Sequence, residues 1–102
     1  MFFDIVLLLQ KLVACRSVTP FDDGIMKVIA EETAELGFKS KIFKFADDKE
    51  EVLNIYSHLN PLNKNKKNLC FVGHLDVVPS GDEKLWKYHP PWPTTRSRNR
   101  KH

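Results

Sequence analysis

His74 and Asp76 stand one residue apart in the stretch Val72-Gly73-His74-Leu75-Asp76-Val77-Val78-Pro79-Ser80-Gly81. In extended backbone, side chains alternate with period two, so both would project to the same side and face one cavity. A neutral imidazole is a good zinc ligand. A carboxylate accepting from its other ring nitrogen fixes the tautomer and raises the ligand's basicity. The spacing therefore reads as a metal ligand, His74, with Asp76 as its orienter. It also reads as a turn after a strand in which the two side chains satisfy each other, because a zinc site needs three or four ligands and H-x-D supplies one.

The elements that must position this pair follow from the apolar pattern. Ile5, Leu8, Leu9 and Leu12 recur at i, i+3, i+4 and i+7, which predicts a helix between Phe2 and Arg16 with one face to bury. Ser17-Val18-Thr19-Pro20 interrupts it, since proline disfavours helical geometry at the preceding residue. Asp22 or Asp23 caps a second helix carrying Ile25, Val28, Ile29 and Leu36, which stops at Gly37. Lys39 to Phe45 and Val52 to Leu59 read as strands around a charged turn, and residues 60 to 68 as a solvated, lysine-rich loop. Leu69 to Val72 is a short apolar run of the kind buried on both faces of a sheet, so the H-x-D pair follows directly at a strand's carboxyl end, where α/β sheets bind ligands. The expected class is α/β, with two helices followed by about three strands.

Other features bound the function. The chain has 102 residues, 16 Lys and Arg against 13 Asp and Glu, and a net charge of +3, enough for one modest core and too little basic excess to mark a nucleic-acid binder. Six residues separate Asp4 from Lys11, so the apolar N-terminus is too short to span a bilayer. H-E-x-x-H, G-x-S-x-G, phosphate-loop and dinucleotide signatures are absent. Cys15 and Cys70 lie far apart and read as small buried hydrophobes, which suits a reducing cytoplasm. His58, His89 and His102 have no ligand-like neighbours in sequence, and Trp86 and Trp92 read as loop-packing residues.

The longer segment Phe71-Val72-Gly73-His74-Leu75-Asp76-Val77-Val78-Pro79, followed by Gly81-Asp82, Trp86 and Pro90-Pro91-Trp92, resembles the first metal-binding motif of the zinc-dependent aminoacylase and carboxypeptidase family. Ser17-Val18-Thr19-Pro20 with Asp23-Gly24, Leu36-Gly37-Phe38 and Asn54-Ile55-Tyr56 resemble its opening helix and loop, the end of its second helix and its second strand. The resemblance implies an incomplete N-terminal portion of a zinc-peptidase-like catalytic domain over residues 1–93, with 94–102 a divergent basic tail. It implies an amide hydrolase of the desuccinylase branch, acting on N-succinyl-LL-diaminopimelate in lysine and diaminopimelate biosynthesis. Two zinc ions, with cobalt as a substitute, are its cofactors; a succinylated amino acid is its substrate, and the family is homodimeric. By the same resemblance His74 binds one zinc and Asp76 orients it. Where relatives continue into a G-R-G-x-x-D-M-K-G segment with a bridging aspartate, this chain reads Thr94 to His102. The expectation is therefore weak zinc binding and no turnover by the chain alone, with no nucleic-acid or membrane partner. The competing expectation is a small non-enzymatic module whose basic tail, with Arg96, Arg98 and Arg100, and Asn60 to Lys67 loop contact nucleic acid or an acidic partner, nucleic-acid binding having steep salt dependence.

Overall fold

A computed structural model describes residues 4–60 and 65–88. Helix α1 spans Ile5–Ala14, helix α2 Ile25–Glu35, strand β1 Lys39–Ala46 and strand β2 Glu51–His58, with a 3-10 turn at Glu83–Leu85. The element order is that of an incomplete α/β piece, helices first and sheet second.

Each boundary has a local chemical cause. The Asp4 carboxylate accepts from the Val6 and Leu7 amides at 3.0 and 3.1 Å, occupying donors that the first turn of α1 leaves open. At the start of α2 the division of labour differs from the expected Asp cap. Gly24, at φ 82°, holds the cap position, and Asp22 reaches past it to accept from the Met26 amide at 3.3 Å. Asp23 turns the other way and accepts from the Arg16 amide at 2.6 Å, tying the loop back to the end of α1. Helix α2 ends in a Schellman arrangement: Gly37, at φ 93°, donates to Ala34, and Phe38 donates to Thr33, both at 3.0 Å.

Strands β1 and β2 form an antiparallel hairpin in which Ser40 faces Ser57, Ile42 faces Ile55 and Lys44 faces Leu53. The turn is organised by Asp47, whose Oδ1 accepts from the Lys49 and Glu50 amides at 2.8 Å each. Helix α2 lies across both strands, and α1 leans on α2. A Lys11 to Glu32 ion pair of 2.7 Å links the two helices. Facing the sheet, the Ser40 and Ser57 hydroxyls share a hydrogen bond of 2.7 Å, with Thr33 of α2 3.4 Å from Ser40.

Burial is sparser than the apolar pattern predicts. Among the described residues only Ile25, at 4% exposure, and Ser17, at 3%, are buried. Leu8 and Leu12 of α1 are half-buried, while Ile5 and Leu9 of the same stripe face solvent, because α2 is the element that packs on α1. The expected third strand is corrected most clearly. Residues 69–72 form no strand, and Phe71 and Val72 are 88% and 94% exposed. A strand covered on both faces needs flanking strands and a layer over each face, and among the described residues the sheet is β1 and β2 alone, with 69–72 paired to neither. Cys70 shares this fate and is exposed rather than buried; Cys15 is half-buried. Part of the lysine-rich loop (61–64), His89, the run through Pro90, Pro91, Trp92 and Pro93, and the tail 94–102 with His102 lie outside the described residues.

Candidate metal centre

The stretch after residue 72 is held by the loop that interrupts the first helix. Val18 and Val77 form an isolated parallel bridge, in which the Val77 amide donates to the Ser17 carbonyl at 3.0 Å. The Ser17 hydroxyl donates to the Leu75 carbonyl at 2.7 Å from a buried position. Residues 17–19 thus run beside 76–78. In the Val18–Val77 register Ser17, Thr19 and Asp76 share one side of the paired segments, so the Thr19 side chain is within diagonal reach of Asp76. Beyond it the chain turns, with the Phe21 amide donating to the Val18 carbonyl at 2.8 Å across a cis Thr19–Pro20 bond.

His74 and Asp76 do meet. His74 Nδ1 lies 3.0 Å from Asp76 Oδ1 and 3.0 Å from the Asp76 carbonyl oxygen. Both partners are acceptors at neutral pH, so Nδ1 must be the protonated nitrogen, donating to both. The lone pair of the neutral ring is thereby left on Nε2. The imidazole is 83% exposed, so that lone pair is open to a ligand from solvent. The Thr19 hydroxyl donates to the second carboxylate oxygen, Asp76 Oδ2, at 2.7 Å. These hydrogen bonds, Thr19's first and His74's second, hold the Asp76 carboxyl below its ordinary pKa. It therefore stays an acceptor throughout the range in which the imidazole is neutral.

The pair opens on a cleft of ≈ 300 Å³ whose walls include Thr19, Phe21, Met26, Leu53 and Asn54. Residues from the first loop, the start of α2, β2 and the 73–76 stretch thus converge on one hollow. Among the described residues, no three His, Cys, Asp or Glu side chains come together as a metal site. The donor set fits one position of a zinc shell: an oriented imidazole with its partner carboxylate. His58 is engaged elsewhere, 3.4 Å from the Asn60 carbonyl. Trp86 packs its loop as expected, with the indole N–H donating to the Ser80 carbonyl at 3.0 Å. Thr19 and Ser17 are the functional residues that pattern reading misses. Their S-x-T spacing matches the period of H-x-D, but nothing local joins two segments almost sixty positions apart.

Comparison with known proteins sets this geometry in context. Over 90 residues, 88% of its length, the chain is 38% identical to the succinyl-diaminopimelate desuccinylase of Ehrlichia canis (strain Jake). Over 94 residues it is 42% identical to the enzyme of that name from Wolbachia sp. subsp. Brugia malayi (strain TRS). Across this span the chain is homologous to the succinyl-diaminopimelate desuccinylases. A third desuccinylase, from Rickettsia felis, is 40% identical over 85 residues. The chain spans about a quarter of the length of these relatives, 22–23% in each case. No protein-family model matches the chain, and no solved structure matches it. Among the described residues, no helix is long and apolar enough to cross a membrane.

Proposed function

We propose that this chain supplies the part of a dinuclear zinc desuccinylase in which His74 is a zinc ligand and Asp76 its orienter. The reaction is hydrolysis of N-succinyl-LL-diaminopimelate to succinate and LL-diaminopimelate, in a cytoplasmic, homodimeric enzyme of lysine and diaminopimelate biosynthesis. The observation that carries this reading is the 3.0 Å contact from His74 Nδ1 to Asp76 Oδ1, which directs the imidazole lone pair outward on Nε2. Homology to proteins named as desuccinylases supports the choice of substrate.

When bound, zinc polarises an amide carbonyl and makes a water acidic enough to attack near neutral pH. The chain's own contribution precedes that chemistry. Asp76 holds the Nδ1 proton, makes the ring a stronger donor at Nε2 and fixes the plane in which it approaches an ion. The adjoining cleft, whose walls include His74, Asn54 and Thr19, offers space and polar groups close to the pair. One imidazole is a small fraction of the three or four ligands of a zinc site, so binding by these residues is weak.

Calorimetric titration of the 102-residue chain with zinc tests the reading. A weak, saturable binding step should be present in the native chain and lost in His74→Ala. Binding of equal strength in His74→Ala would refute the assignment. Succinate release from N-succinyl-LL-diaminopimelate should be no faster than in that variant.

A further inference from the structure

We propose that Thr19 is a positioning residue, whose hydroxyl clamps the Asp76 carboxylate so that His74 keeps its Nδ1–H tautomer. The proposal rests on the reading of His74 as a metal ligand, and its test separates the two.

A carboxylate on an exposed loop rotates about its last torsion and can offer either oxygen, or neither, to a neighbour. Here both oxygens are assigned. Oδ2 accepts from Thr19 Oγ1 at 2.7 Å, and Oδ1 faces His74 Nδ1 at 3.0 Å. Rotation about that torsion would break both contacts together, so the Thr19 bond restricts the freedom that would otherwise let Asp76 leave the ring. Thr19 is itself fixed from behind. The loop bearing it is tied to the far side of the 75–77 stretch by the Ser17 hydroxyl on the Leu75 carbonyl and the Val77 amide on the Ser17 carbonyl. The hydroxyl is exposed, and among the described residues its hydrogen bond runs to Asp76. A free imidazole in water favours the opposite tautomer, with the proton on Nε2. Holding the proton on Nδ1 is therefore the work of its acceptors, and Thr19 keeps the stronger of them in place. Because Thr19 is exposed, replacing it removes a hydroxyl without opening a core.

Nitrogen-15 spectra of the histidine rings in the full 102-residue chain, taken at about pH 8.5 where an ordinary imidazole is neutral, read the tautomer directly. Native chain and Thr19→Ser should show His74 mainly as Nδ1–H. Thr19→Val and Thr19→Ala should both shift it toward Nε2–H, and zinc affinity should fall by roughly 10- to 100-fold, the usual cost of removing an outer-shell partner. An unchanged tautomer in Thr19→Val, a shift in only one of Thr19→Val and Thr19→Ala, or a shift in Thr19→Ser as large as theirs would overturn the proposal. A tautomer that responds as expected while zinc binding ignores His74→Ala would uphold the positioning role and remove the ligand reading instead.

Discussion

The two cysteines show how far residue type alone can mislead about environment. Both look like small hydrophobes in apolar surroundings, yet Cys70 is exposed and Cys15 half-buried behind α1. Burial raises the Cys15 thiol above its ordinary pKa, and the nearby carboxylates of Asp23 and Asp22 push the same way. A raised pKa means less thiolate at mildly alkaline pH, and thiolate is the reacting species. Alkylation followed by mass spectrometry should therefore modify Cys70 first. The Cys15 rate should keep climbing at pH values where an ordinary thiol has levelled off; equal rates and equal pH profiles would contradict this. His74 and Asp76 are legible for the opposite reason. Their relation lies within three consecutive residues, so backbone alternation alone is enough to suggest it. Thr19 is invisible at that range because its partner is 57 positions away.

Elements were legible to the extent that their causes are local. Both helices, the Gly37 stop and the hairpin sit within a few residues of where periodicity and turn chemistry put them, because caps and alternation act over three or four positions. The hairpin turn allows a pH test. Amide donors at Glu50 and then Lys49 hold the Asp47 carboxyl below its ordinary value. A carboxylate with a depressed folded-state pKa contributes fully above its unfolded value and loses that contribution as pH falls through the folded one. Amide resonances of Lys49 and Glu50 should accordingly stay fixed down to about pH 3.9, then move together in stronger acid. Movement well above that point would mean that the turn does not depend on Asp47. The third strand failed because its cause is not local. An apolar run becomes a buried strand only when other strands and a covering layer exist to receive it. Among the described residues, β1 and β2 are the whole sheet.

At the scale of the whole molecule, Ile25, the one buried apolar residue among those described, cannot account for the order of the candidate site. That order comes from hydrogen bonds between the first loop and the 75–77 stretch, and Ser17 is their one buried member. Ser17→Ala would leave the Leu75 carbonyl without its partner, a loss of about 1–3 kcal/mol in local stability. Hydrogen exchange at the Val77 amide should quicken by roughly five- to hundredfold, with α2 amides little changed. Unaltered Val77 exchange would show that the hydroxyl does not secure the loop. The desuccinylase relatives are about four times as long as the matched span, so the Phe71 and Val72 side chains correspond to positions with far more chain available around them.

The bridge from Val18 to Val77 also has an entropic side. Joining Ser17 to Leu75 closes a span of 58 positions, which for a flexible chain costs about 3.6 kcal/mol plus a constant. Helix α2 and the hairpin lie inside that span, and once they form, the flexible length left to close is much shorter. The clasp is thus a non-local contact whose closure cost falls when α2 and the hairpin are already formed. Any change that steadies α2 or the hairpin makes the His74 environment easier to assemble, without touching it.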